Sequence, residues 1–121
     1  MPSRRILVVD DNIDSAKTLA MLLKVLGAEV HVAHDGPAAL AAIEKHRPDV
    51  ILLDIGMPNM DGCEVAKRIR QQPEFNHVAL IALTGWGQED DRRRTREAGF
   101  DHHLIKPADI TALQALLVSL E

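Results

Sequence analysis

Five times along this chain a short apolar run gives way to a stretch with helical spacing, and that alternation limits the fold more than any other feature. Ile6-Leu7-Val8-Val9 is continuous and too short for a helix, so it reads as a strand buried on both faces. Ala16, Leu19, Leu23 and Leu26 follow at helical spacing, and Gly27 stops that helix. Residues 28–33 read as a strand, and Pro37 opens a second helix carrying Leu40 and Ile43, which Pro48 closes. Residues 50–53 form the next apolar strand, and Val65 and Ile69 mark a third helix that ends before Pro73. Residues 78–83 predict a strand, residues 88–98 a polar helix ended by Gly99, and residues 100–105 a short strand. Asp109 caps a last helix carrying Leu113, Leu116, Leu117 and Leu120.

Strict alternation with apolar strands implies an α/β fold, a doubly wound (βα)5 parallel sheet covered on both faces by helices. Its 121 residues suffice for one domain, residues 1–121, with a core that needs no disulfide. In such a sheet the ligand sits beyond the carboxyl ends of the strands. The informative residues are therefore those just after each apolar run: Asp10 and Asp11, Asp54, Thr84 and Lys106.

Composition removes several alternatives. A net charge of -4 leaves no electrostatic footprint for nucleic acid, and Phe75, Trp86 and Phe100 are too few rings for base stacking. No apolar run approaches the roughly 18 residues of a membrane span, and no signal peptide is recognisable. A lone Cys63 fits the reducing cytoplasm and reads as a small packing residue. Arg92-Arg93-Arg94 and Arg96 follow Glu89, Asp90 and Asp91, so they read as a solvated helix face with pairs Glu89–Arg93 and Asp90–Arg94. Asp61-Gly62 reads as turn and cap chemistry.

Three carboxylates gathered at one end of a sheet repel one another and are each harder to ionise. A hard divalent cation relieves that repulsion, and Mg2+ suits a site of few carboxylate or carbonyl oxygens. Lys106 adds a compact positive charge. The set reads as a phosphoryl-transfer site whose nucleophile is Asp54. The Thr84 hydroxyl and Lys106 would grip phosphoryl oxygens, with backbone N–H groups near Gly56 and Gly85 assisting. A helix-capping role would explain one of Asp10 and Asp11, but it leaves Asp54 and Lys106 without a reason.

Val8-Val9-Asp10-Asp11-Asn12, residues 52–58 with Asp54-Ile55-Gly56-Met57-Pro58, Asp61-Gly62, Ala82-Leu83-Thr84-Gly85 and Ile105-Lys106-Pro107 resemble the receiver domains of two-component response regulators. The resemblance spans essentially the whole chain and implies the flavodoxin-like strand order 2-1-3-4-5. It further implies phosphorylation of Asp54 from a phosphohistidine on a histidine kinase or a histidine phosphotransfer protein. Mg2+ would be held by Asp11, Asp54 and the Gly56 carbonyl, with Asp10 acting through water. A cis peptide before Pro107 is implied too. Output would pass through the face of the fourth helix, fifth strand and fifth helix, by effector contact or dimerisation. Residues 99–107 are similar to receivers fused to hybrid sensor histidine kinases.

His103 occupies the position where many receivers carry a Tyr or Phe switch, and Gly85-Trp86 follows Thr84 where Ala is frequent. His103 is expected to serve as the relay, and Trp86 to lie at the mouth of the site. His102 and His103, adjacent on a strand, point to opposite faces and do not form a metal pair. Three other classes compete. A flavin carrier would need a Ser-, Thr- and Gly-rich first loop rather than Asp10-Asp11-Asn12. An aspartyl-phosphate-forming phosphatase would need an acid close after Asp54. A phosphorylation-independent interaction module would tolerate loss of one of these five residues, and all five are present.

Overall fold

A computed structural model describes residues 4–57, 62–85, 92–106 and 108–120. Its elements run β1 (Arg5–Val9), α1 (Ile13–Val25), β2 (Glu29–Ala33), α2 (Gly36–His46), β3 (Val50–Asp54), α3 (Gly62–Arg70), a 3-10 turn (Pro73–Phe75), β4 (Ala79–Thr84), α4 (Arg92–Ala98), β5 (His102–Ile105) and α5 (Ile110–Ser119). The five strands form one sheet in the order β2-β1-β3-β4-β5, and each adjacent pair is parallel. This is the doubly wound arrangement expected from the alternation.

Alternate residues of the strands feed two separate cores. Leu7, Val9, Ile51, Leu53, Leu80 and Ala82 pack on the side of α2, α3 and α4. Ile6, Val8, Val50, Leu52, Ile81 and Leu83 pack with Leu19 and Leu23 of α1 and Leu113 of α5. All five residues of β3 are buried, as befits the central strand. Each fully buried Leu, Ile or Val contributes about 1.5–3 kcal/mol relative to exposure. Both cores therefore hold the strand ends in fixed register.

Local signals set the boundaries. The side chain of Asn12 accepts the Ser15 N–H at 2.9 Å and caps α1, so neither Asp10 nor Asp11 is needed there. Asp35 caps α2 through Ala38 N–H at 2.7 Å, and Asp109 caps α5 through Ala112 N–H at 2.8 Å. Gly27 and Gly99 take φ of +93° and +104°, which L side chains resist. Leu26 closes α1 as its C-cap rather than extending its face. The 3-10 turn at Pro73–Phe75 was not foreseen; it buries Phe75 under the α3 side of the sheet.

In α4, Arg93 pairs with Glu97, one turn further along the helix, at 3.3 Å. Glu89, Asp90, Asp61, Trp86 and Pro107 lie outside the described residues, and with them the expected cis peptide. Cys63 is buried in the α3 core, as its reading as a packing residue requires.

Candidate phosphoryl-acceptor site

Strand parity explains which side chains meet. Asp10 extends β1 in the phase of Ile6 and Val8, and Asp54 ends β3 in the phase of Val50 and Leu52. Lys106 follows β5 in the phase of Leu104, on the same side of the sheet. Its backbone N–H continues the ladder to Thr84 O at 2.7 Å. From there the lysine reaches across the end of β4. Nζ stands 3.0 Å from Asp54 Oδ2 and 2.8 Å from Asp10 Oδ2.

Both acids are buried, Asp10 to 1% exposure and Asp54 to 8%, whereas Asp11 is exposed. The remaining Asp54 oxygen, Oδ1, accepts the Gly56 N–H at 2.9 Å. Asp10 Oδ1 accepts the Asn12 N–H at 3.0 Å. Asp10 Oδ2 is buried and faces the Lys106 ammonium without a well-directed hydrogen bond, while the Ser15 side chain lies near the same carboxyl. One carboxylate oxygen each from Asp10, Asp11 and Asp54 lie within 4.8 Å of one another.

The electrostatics split the two buried acids. Burial pushes the Asp54 carboxyl above its ordinary value; the Gly56 N–H and Lys106 oppose that rise without cancelling it, and the Asp10 charge adds to it. Burial also raises Asp10, but Lys106 and the Asn12 N–H outweigh it and hold that carboxyl below the usual range. Mutual repulsion alone would have raised both. For Lys106, burial favours the neutral amine, yet Asp10 and Asp54 together overcome it and raise its pKa.

These residues fit a hard dication. Three oxygens converge, one of them is short of donors, and the single ammonium among them faces more than one negative charge. Beside them a cavity of about 60 Å3 is lined by Asp10, Ser15, Thr18, Leu83 and Lys106. It has room for water.

Thr84 ends β4 in the opposite phase, 6% exposed, and its hydroxyl donates to Leu104 O at 3.4 Å rather than to Asp54. His103 faces α4, where its Nε2 and the buried Thr95 hydroxyl are hydrogen-bonded. His102 lies on the other face, along a groove with Arg4, Asp49 and Leu120 at the far end of the sheet. The two histidines therefore diverge, as alternation requires.

Gly62 sets how closely α3 approaches the end of β3. A Cβ there would lie 2.4 Å from the Asp54 carbonyl oxygen and 2.8 Å from Ile55 Cα. Only glycine lets α3 start so close to the strand that carries Asp54. Its one mark in the sequence is the pair Asp61-Gly62, which reads as turn and cap chemistry.

The response regulator receiver domain family matches residues 6–118. The chain belongs to that family. Among relatives of this receiver is the response regulator PleD of Caulobacter vibrioides, 39% identical over 118 residues, which are 98% of this chain and 26% of PleD. The polar-differentiation response regulator DivK of Brucella anthropi is 32% identical over 107 residues, 88% of this chain and 87% of DivK. The receiver thus spans about a quarter of one relative and most of the other. The chemotaxis protein CheY4 of Vibrio cholerae superimposes with a TM-score of 0.92 at 31% identity, over 99% of this chain and 100% of that one. Fold and family agree.

Proposed function

We propose that this receiver accepts a phosphoryl group from a phosphohistidine onto Asp54. Phosphoryl acceptance is general to the family. The observation that carries the assignment to Asp54 is its position between Lys106 Nζ at 3.0 Å and the Gly56 N–H at 2.9 Å, beside two further carboxylates. An Asp54 oxygen forms the new O–P bond while the donor's P–N bond breaks, and the electron pair leaves on the imidazole.

Lys106 neutralises oxygen charge as phosphorus is transferred, and the Gly56 N–H orients the attacking carboxylate. Asp11, Asp54 and the Gly56 carbonyl would hold Mg2+, with Asp10 acting through water. When bound, the metal supplies compensation of charge on the phosphoryl oxygens. Thr84 leaves the Leu104 carbonyl to grip the phosphoryl group, with the Gly85 backbone assisting, and His103 relays that movement to α4. Output passes through α4, β5 and α5, where Ile105, Ile110 and Val118 stand exposed, to an effector or a second copy.

The donor is a histidine kinase or a histidine phosphotransfer protein, and the reaction is cytoplasmic. No described helix is long and apolar enough to cross a membrane. After Asp54 come buried Ile55, Gly56 and buried Met57, so no acid directly follows to protonate a leaving alcohol. This weighs against phosphate-ester turnover.

Intact-mass spectrometry with acetyl phosphate tests the reading. Wild type should gain one phosphoryl group with Mg2+ and none with EDTA, and Asp54→Asn should gain none. Asp11→Asn should weaken Mg2+ binding more than Asp10→Asn. Equal labelling of wild type and Asp54→Asn would refute the assignment.

A further inference from the structure

β2 stops pairing with β1 at the register pair Val9↔Ala33, and one more backbone bond follows, from Asp10 N–H to Ala33 O at 3.1 Å. In a continuing parallel ladder the Asp10 carbonyl would next accept from the N–H of residue 35. No such bond forms. Asp35 has instead become the N-cap of α2, with φ -154° and ψ 172°, and the chain turns away at Gly36.

The His34 side chain takes the vacated place: its Nδ1 lies 3.0 Å from the Asp10 carbonyl oxygen. A carbonyl has no proton to give, so Nδ1 carries the hydrogen and donates it. The last β2 residue and the residue after it therefore grip Asp10 from both ends, Ala33 O at its N–H and the His34 ring at its C=O. That C=O belongs to the rigid peptide plane that leads into Asp11. Asp11 is exposed and belongs to neither core, yet an oxygen of it lies within 4.8 Å of those of Asp10 and Asp54.

We propose that His34 is a positioning residue for the acidic site: its Nδ1–H fixes the Asp10–Asp11 peptide plane and thereby aims the Asp11 carboxylate at the divalent cation. This rests on the reading of the cluster as the Mg2+ site of a phosphoryl acceptor. His34 is exposed and belongs to neither core, so its loss should affect ion binding more than folding.

Calorimetric titration of Mg2+ into wild type and His34→Asn, His34→Gln and His34→Ala tests the proposal. The Asn amide nitrogen sits two bonds beyond Cβ, as imidazole Nδ1 does, whereas the Gln donor is one atom further out. Asn should keep wild-type affinity, while Gln and Ala should bind about two- to tenfold more weakly, the effect of one hydrogen bond. A long-range 1H–15N imidazole spectrum of the wild type should show the hydrogen on Nδ1.

Ala binding as tightly as wild type, all three variants losing equally, or a hydrogen on Nε2 alone would overturn it. If Ala does not fold, the Asn–Gln contrast and the wild-type spectrum decide. A wild type that binds Mg2+ but takes no phosphoryl group refutes the phosphoryl reading and leaves the clamp to be judged on affinity and tautomer. A wild type that binds no Mg2+ overturns both.

Discussion

The Lys106 ammonium lies 3.0 Å from Asp54 Oδ2 across the end of β4 and is the cation that joins this carboxylate to Asp10. Lys106→Met leaves two buried acids facing each other. It should lower stability by about 1–3 kcal/mol, the cost of stranding a buried charged partner. It should also slow phosphoryl uptake from acetyl phosphate by on the order of tenfold to a hundredfold. Urea midpoints and labelling rates measure the two effects; a rate within about twofold of wild type would contradict the role given to the lysine.

The opposite displacements of Asp54 and Asp10 predict opposite effects of amide substitution. Burial raises Asp54, against the Gly56 N–H and Lys106, so its ionised form costs stability above its folded pKa. That cost fades as pH falls through the raised value toward the ordinary 3.8. Without Mg2+, Asp54→Asn should therefore melt higher than wild type at neutral pH, with the gap closing in that acid window. Asp10 is held low, so it contributes stability above 3.8 that is lost as pH falls through its folded value. Asp10→Asn should melt lower at neutral pH and converge with wild type in acid. Thermal melts across pH check both signs.

Gly62→Ala places a methyl 2.4 Å from the Asp54 carbonyl oxygen. Backbone on both sides must move, so the variant should lose about 1–3 kcal/mol, as overpacking does. Because the displaced strand end carries Asp54, labelling should slow as well. An unchanged urea midpoint would mean that α3 shifts freely at its start.

The His103–Thr95 contact ties β5 to α4. Beryllofluoride should shift the His103 imidazole resonances in wild type and leave them unchanged in Thr84→Ala. Thr95→Val, which removes a buried hydroxyl, should cost about 1 kcal/mol and alter the His103 signal before any ligand is added. Equal beryllofluoride shifts in wild type and Thr84→Ala would show that His103 does not report on Thr84.

Much of this cluster is legible in the sequence because each residue follows or ends an apolar run, and a parallel sheet carries such ends to one edge. Asp10, Asp54, Thr84 and Lys106 stand out in that way, and the strand order follows from the family resemblance. What escaped depends on phase and on partners distant in sequence. Ladder parity separates Thr84 from the three charged groups, and nothing in the run Ala82-Leu83-Thr84 states it. Thr95 lies in a polar helix and is nevertheless fully buried against His103. His34 looks like an ordinary loop residue until β2 ends one bond short of satisfying Asp10. Arg47 adopts φ 51° at the end of α2, a non-glycine in the left-handed region that spacing did not signal. Crowding of carboxylates alone would make Asp10 harder to ionise, and the proximity of Lys106 reverses that.

Borohydride reduction of the acetyl-phosphate-treated receiver converts an aspartyl phosphate to homoserine, and peptide sequencing by mass spectrometry locates it. A phosphoryl group on Asp54 gives homoserine at position 54, dependent on Mg2+ during labelling; homoserine at position 10 or 11, or at no aspartate, would refute phosphorylation of Asp54.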